Sequence, residues 1–546
     1  MLNRLRNRFT SRRAAPLIIA MLVCVPNTAA AQLSIVQTRS GPVRGTSAGV
    51  DGVMVFRGLP YAAPPTGDRR WRPPAPPTSW SLVRDATQFG PQCPQPKNFA
   101  PAGRGGRGQV AAPPASSEDC LTLNVWTPAK SAAARLPVMV WIHGGGFTIG
   151  TGANPRSSAE MLAAYGAVVI TFNYRLGPLG FFAHPGLSRE SDRKVSGNYG
   201  LLDQIAALRW VRDNIAAFGG NPSNVTVFGQ SAGASSGAGV LMVSPLARGL
   251  FHRVIAQSAG TTGTFGQKPR LHDGYYGLPA AEDKGAELEP DIAKLRAMSA
   301  DAVIDTLPNG RTFSVDWHFG PVIDGYVLPD DPEVLLGTTA QAKVPLLIGH
   351  NADEAFFYRN ESPRTVSSYR DFVGKLIPPE FVATVLDMYP AADDAAATEA
   401  VLHMFSDFRF VTPTVLTARA ASQVTDVYMY RFSRVGPANQ SMWAGAAHGV
   451  EIPYVFNHVT PDASQYEEID RALSRAVAGA WVQFAKTGNP NGAGLPQWPR
   501  YRAPDYTLLE FGNEISVRSN AVSSRVDLFR QISESLRRKP TTSPRR

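Results

Sequence analysis

From about residue 136 onward, short apolar runs alternate with segments of helical length. That rhythm signals a mostly parallel sheet whose strands are joined by crossover helices, an α/β architecture. The runs 136–142, 167–174, 225–228, 254–257, 344–348 and 427–432 read as strands. Between them, residues 201–214 place Leu201, Ile205, Leu208 and Val211 at the spacing of an amphipathic helix. Upstream the texture changes. Residues 53–56 read as a strand, and 59–77 hold seven prolines interleaved with Tyr61 and Trp71, which favours an ordered, packed loop over a proline-rich partner motif. Residues 96–117 run through Ala, Gly, Pro and Arg and read as a surface loop. The helix-rich stretch 270–430 is expected to be inserted around the sheet as a cap.

The chain has 546 residues, and only 18% are charged, which fits one large interior and excludes collagen, coiled coil and wholesale disorder. A formal charge of +10 raises the question of a nucleic-acid partner. Its distribution answers it: Arg4, Arg6, Arg8, Arg12 and Arg13 at one end and Arg537, Arg538, Lys539, Arg545 and Arg546 at the other account for the whole excess. The body is neutral, so no nucleic acid is expected, and 537–546 reads as a flexible basic tail. At the N-terminus, the basic residues precede an apolar segment from Leu17 to Val25 and then Ala29-Ala30-Ala31 before Gln32, the grammar of a cleaved secretory signal. Nine apolar residues cannot cross a bilayer, which takes about twenty. Residues 1–31 are therefore expected to be a signal peptide and 32–546 a single exported domain, periplasmic or secreted, with no membrane anchor. Ser11-Arg12-Arg13 hints at a twin-arginine signal, but Ala14-Ala15-Pro16 follows where a bulkier apolar residue belongs, which favours the general export route.

Of three cysteines, Cys24 leaves with the signal, and Cys93 and Cys120 remain as an even pair in an oxidising compartment. One disulfide between them is the simplest expectation. No CxxC or HExxH pattern occurs, so neither a metal nor another cofactor is expected.

The chemistry-bearing motifs begin with Gly229-Gln230-Ser231-Ala232-Gly233, which fits the G-x-S-x-G nucleophile elbow. Gly233-Ala234-Ser235-Ser236-Gly237 fits it too, so context must decide. An elbow needs a sharp turn directly after a buried strand, and 225–228 supplies that strand for Ser231, whereas Ser235 falls a turn into the following helix. His143-Gly144-Gly145-Gly146 follows another strand end and suits an oxyanion hole, where glycines let backbone N–H groups approach a developing negative oxygen. The donors expected are Gly145, Gly146 and Ala232. A serine hydroxyl also needs a base, and the base an acid that holds its tautomer; after an elbow of this kind they follow in the order acid, histidine. Asp353 and Glu354 lie just past the strand 344–348, and spacing does not choose between them. Among the later histidines, His403 reads as a helix-face residue, His448 sits in a Gly- and Ala-rich loop, and His458 is the reserve.

These residues, together with Phe56-Arg57-Gly58-Leu59-Pro60-Tyr61-Ala62, Ser117-Glu118-Asp119-Cys120-Leu121, Ser196-Gly197-Asn198-Tyr199-Gly200 and His448-Gly449-Val450-Glu451-Ile452-Pro453-Tyr454, resemble the signature blocks of the type-B carboxylesterases, which include para-nitrobenzyl esterases and cholinesterases. The resemblance runs over nearly the whole mature chain. It implies an α/β-hydrolase fold, Glu354 as the acid, His448 as the base, a Cys93–Cys120 disulfide, and Ser258 as a supporting hydrogen-bonding residue. Two positions depart from it: Gln230 stands where glutamate is common, and Ala355 where glycine is usual.

The expectation is an exported serine hydrolase that cleaves small-molecule carboxylic esters through an acyl-enzyme on Ser231. The same triad serves carbamate and amide hydrolysis. The same fold, with its triad lost, serves as a cholinesterase-like binding protein, but here all three residues persist. Phe147, Phe181, Phe182, Phe319, Phe356 and Phe357 are candidates for an aromatic lining, most of them expected to be plain core. Esterases that strip polycarboxylate groups from fumonisin-type toxins are similar in several blocks, with Arg104 or Arg107 as the cation that would meet an anionic acyl group.

Overall fold

The apolar run Leu136–Ile142 forms a strand whose residues are buried from Pro137 onward, as a strand covered on both faces must be. The computed structural model describes residues 33–97, 115–262, 268–275, 277–307, 319–459, 465–492, 494–519 and 523–538. Among them the strands, in chain order, are β1 (Ile35–Gln37), β2 (Pro42–Arg44), β3 (Thr46–Ser47), β4 (Met54–Pro60), β5 (Arg84–Asp85), β6 (Thr122–Thr127), β7 (Leu136–Ile142), β8 (Val168–Phe172), β9 (Gly220–Gln230), β10 (Arg253–Gln257), β11 (Leu346–Asn351), β12 (Val427–Phe432), β13 (Thr507–Phe511) and β14 (Ile515–Ser519). Eleven of them make one sheet in the order β14-β13-β12-β11-β10-β9-β7-β8-β6-β4-β3, and β1, β2 and β5 make a small second sheet. The run from β13 to β8 is parallel. Both ends of the large sheet are antiparallel.

Successive residues of a strand point to opposite faces, and β7 shows the result: Val138, Val140 and Ile142 join one core while Met139 and Trp141 join the other. The helix Tyr199–Asn214 covers the first face through Leu201, Ile205, Leu208 and Val211. The helix Glu468–Thr487 covers the second through Leu473, Val477, Trp481 and Phe484. Cys93 and Cys120 form the expected disulfide, with Cα atoms 5.0 Å apart.

Three expectations shift. The strand expected at 344–348 lies at Leu346–Asn351, carried past its apolar part because Gly349, His350 and Asn351 pair with Tyr430, Arg431 and Phe432 of β12. The expected cap, 270–430, is not one insertion. Its helices, among them Ala281–Leu288, Val366–Leu376, Pro379–Met388, Asp394–Ser406 and Thr412–Ala421, are divided by β11, which is a central strand of the main sheet. The expected basic tail begins inside the helix Ser523–Arg538, where Arg537 pairs with Glu333. Residues 539–546, the proposed signal 1–31, and Arg104 and Arg107 lie outside the described residues.

Candidate active site

Strand β9 ends at Gln230 and the chain turns at once. Ser231 has φ 57° and ψ −122°, a conformation that a non-glycine residue rarely adopts and that tertiary structure must hold in place. Two hydrogen bonds do so here: Ser231 N–H donates to Gln257 O over 2.8 Å, and its carbonyl accepts from Ser235 N–H over 2.8 Å. The turn leaves Ser231 half-buried above the helix Ala232–Ala234, which continues as a π-helix, Ser235–Leu241. Ser235 is 7% exposed, and its Oγ accepts from Gly260 N–H, so the second G-x-S-x-G match is a packed helix residue.

The glycine loop lies directly against this turn. A Cβ on Gly144 would sit 3.0 Å from Ser231 Cβ, and one on Gly233 would sit 1.9 Å from the carbonyl oxygen of Ile142. Glycine at both positions is thus what lets the elbow and the end of β7 meet. Gly233→Ala is expected to cost about 3 kcal/mol, the upper end for overpacking, and to displace Ser231. Denaturant unfolding and kcat measured on the same preparation check this. Gly145 and Gly146 have φ of 109° and 62°. Among the described residues, the amides of Gly145, Gly146 and Ala232 donate to no other group, so all three are available to an oxyanion.

His143 is the buried support of that loop. Its Nδ1–H donates to Gly144 O over 2.9 Å, and its ring stacks on Tyr174 with centroids 4.5 Å apart. Burial pushes its pKa down to about 4, against the opposing pull of the Gly144 carbonyl. The unfolded chain protonates near about 6.5, so the stability that the neutral ring contributes is present above that pH and lost as pH falls toward about 4. The gap corresponds to about 3 kcal/mol. His143→Phe is expected to lack that part of the acid destabilisation, measured as the difference in unfolding free energy between pH 7 and pH 4.

His448 and Glu354 meet across the loop that follows β12. His448 Nδ1–H donates to Glu354 Oε2 over 2.6 Å, and its backbone N–H donates to Glu354 O over 3.1 Å. The other carboxylate oxygen, Oε1, accepts from Asn351 N–H over 2.7 Å. Behind this pair lies a second fully buried carboxylate, Glu451, which accepts from Asn351 Nδ2 and Gln257 Nε2. Trp481 Nε1–H in turn donates to Gln257 Oε1. Burial, and then the neighbouring Glu354 charge, hold the Glu451 carboxyl above its ordinary value. The geometry also separates the two acid candidates, because Asp353 turns away and its Oδ2 accepts from Ala446 N–H over 2.8 Å.

The chain matches the carboxylesterase family over residues 32–529. It belongs to that family. It is 39% identical over 492 residues to the fumonisin B1 esterase of Sphingopyxis macrogoltabida, a match covering 88% of this chain and 86% of that protein. With the para-nitrobenzyl esterase of Bacillus subtilis it shares 36% identity over 510 residues, covering 90% and 97% of the two chains. The solved structure of a thermophilic PNB esterase superposes with a TM-score of 0.78 at 34% identity, covering 91% of this chain and 99% of that one. The fold is that of the α/β-hydrolases, and the protein is a serine carboxylesterase.

The Ser258 hydroxyl is fully buried and makes no hydrogen bond among the described residues, and Gln257 and Asn351 both donate to Glu451. His448 Nε2 faces the side-chain nitrogen of Gln230 at 2.9 Å, and Ser231 Oγ makes no hydrogen bond among the described residues. His403 is exposed on the helix Asp394–Ser406, as expected, and His458 bonds the Ser158 carbonyl.

Of the aromatic candidates, Phe181, Phe182, Phe319 and Phe356 are core. Phe147 sits on the glycine loop, edge-on to Phe181. Phe357 lies over the His448 ring at 5.2 Å, and Phe410, which the sequence reading passed over, packs on it at 4.4 Å. Glu451, Gln257 and Asn351 were also passed over. Their signal was position: Glu451 lies three residues after His448, Gln257 ends β10, and Asn351 ends β11.

Proposed function

We propose that this carboxylesterase cleaves carboxylic esters through an acyl-enzyme on Ser231. His448 takes the serine proton and later returns it to the leaving alcohol, and Glu354 holds the ring in the tautomer that leaves Nε2 free to accept. The amides of Gly145, Gly146 and Ala232 stabilise the tetrahedral oxyanion, and water attacking the acyl-enzyme completes the cycle. The observation that carries this reading is the 2.6 Å bond between Glu354 and His448, made beside a strained serine turn that abuts a glycine loop. Labelling with an organophosphonate tests it: one adduct on Ser231 is the expected mass gain. A non-catalytic binding protein would gain none.

Export is part of the same reading. The basic and apolar N-terminal pattern supports removal of residues 1–31, leaving 32–546 as one catalytic domain. The disulfide agrees with an oxidising compartment, and no helix among the described residues is long and apolar enough to cross a membrane. Sequencing the N-terminus of the exported protein should read from Gln32.

A second reading is favoured by the fumonisin B1 esterase among the relatives: the substrate is a bulky ester carrying a polycarboxylate acyl group. Rates across simple acyl chains, bulky aromatic esters and polycarboxylate esters separate it from a general esterase.

A further inference from the structure

We propose that Gln230 is a positioning residue that caps the base: its side-chain amide holds His448 Nε2 in the substrate-free protein and releases it to Ser231 when an ester binds. This rests on the triad proposed above. Gln230 is 5% exposed, and its side chain lies in a slot walled by two glycines. A Cβ on Gly144 would fall 2.8 Å from Gln230 Oε1, and one on Gly449 would fall 3.5 Å from Gln230 Nε2. The carboxamide therefore spans from the glycine loop to the loop carrying His448, and Nε2 of the amide meets Nε2 of the ring at 2.9 Å.

The chemistry sets the direction of that bond. Because His448 Nδ1–H donates to Glu354, Nε2 of the neutral ring presents one in-plane lone pair and accepts. The amide N–H of Gln230 is the donor that meets it. The same lone pair has to take the Ser231 proton, so amide and hydroxyl compete for one acceptor. An amide has a second option: turned about its terminal bond, it presents oxygen and accepts from the ring once Nε2 is protonated. Glutamine can thus partner both protonation states, each in its own orientation. Glutamate in the same slot can only accept, and methionine, of similar length, does neither.

The charged and titratable groups around the imidazole come from several elements. Glu354 follows β11, and Glu451 follows His448 on its own loop. Asp353 binds the backbone of Ala446, Arg156 donates to Gly449 O over 2.8 Å, and Arg409 lies beside the Phe410 ring. All are retained in residue-230 variants, so a comparison among those variants isolates the amide.

The test uses the full-length enzyme and its Gln230→Glu and Gln230→Met variants, each first shown to unfold as the wild type does. The pH profile of kcat/KM is measured on a chromogenic ester. In parallel the ¹⁵N signal of His448 Nε2 is followed without substrate, assigned by its loss in His448→Ala. The acid limb of Gln230→Glu is expected to move to higher pH by about one unit or more, because a carboxylate there favours the imidazolium. Gln230→Met, which removes the amide in both orientations, is expected to move the limb less than Gln230→Glu does, and its Nε2 signal to shift toward that of a ring without a hydrogen bond. A residue with a purely structural role would change neither. Superimposed limbs, or an Nε2 signal unmoved by Gln230→Met, would overturn the role of Gln230. The triad reading is tested separately, by the loss of about a millionfold in kcat expected of Ser231→Ala.

Discussion

Ser231→Ala and His448→Ala are each expected to lower kcat on a chromogenic ester by about a millionfold. Ser231 occupies the turn at φ 57° where β9 ends, and no other serine in the second G-x-S-x-G match is so placed, since Ser235 is buried against Gly260. On the proposed mechanism, no acyl-enzyme can form without the hydroxyl. Without the ring, the hydroxyl keeps its proton at neutral pH and is a poor nucleophile. Both variants should keep a residual rate above buffer, because the amides of Gly145, Gly146 and Ala232 remain in place to stabilise an oxyanion formed by water attack. The two losses should not add in the double variant, since each alone already disables the unit. Retention of more than a small fraction of activity by Ser231→Ala would remove it as the nucleophile.

Glu354→Gln is expected to lower kcat by about ten-thousandfold with little change in fold. The carboxylate accepts twice, from His448 Nδ1–H at one oxygen and from Asn351 N–H at the other. An amide can satisfy only one of these. If its nitrogen faces His448, the ring must accept at Nδ1 and carry its proton on Nε2, where it cannot act as base; if its nitrogen faces Asn351, two donors oppose each other in a fully buried site. Asp353→Asn provides the comparison. Asp353 lies one residue away but binds the backbone of Ala446, so its loss should affect loop stability and leave the order of magnitude of kcat intact. Steady-state kinetics on both variants decide which carboxylate orients the base. A larger loss in Asp353→Asn would reverse the assignment.

The positions of β7, β9, β10 and β12 were legible in the sequence because a strand buried on both faces reads as a near-continuous apolar run. The two motif-bearing turns were legible because a glycine loop and a small-residue elbow have few uses directly after such strands. The far end of β11 was not legible. Gly349, His350 and Asn351 carry no apolar signal, yet His350 bonds Tyr506 and Asn351 bonds Ala447, Glu354 and Glu451, so polar residues complete a buried strand once partners distant in sequence satisfy them. The helices of 270–430 do not form one cap because β11, whose apolar part was legible as a strand at 344–348, pairs with β10 and β12 in the main sheet and divides them.

The sequence by itself pointed to the family, the elbow that carries Ser231, the glycine loop and the cysteine pair, because each is encoded in contiguous residues whose local geometry admits little else. Spacing narrowed the acid to Asp353 or Glu354 and favoured His448 over His458 as the base, and the resemblance then pointed to Glu354 with His448. Only the tertiary structure showed which carboxylate bonds the imidazole, that the Gln230 side chain meets Nε2, and that Phe357 and Phe410 pack on the ring. Those outcomes depend on side-chain directions and hydrogen-bond partners between segments more than two hundred residues apart in the case of Gln230 and His448, which are separated by 218 positions. Contacts at that separation are set by how the sheet and loops pack, and no local pattern records them.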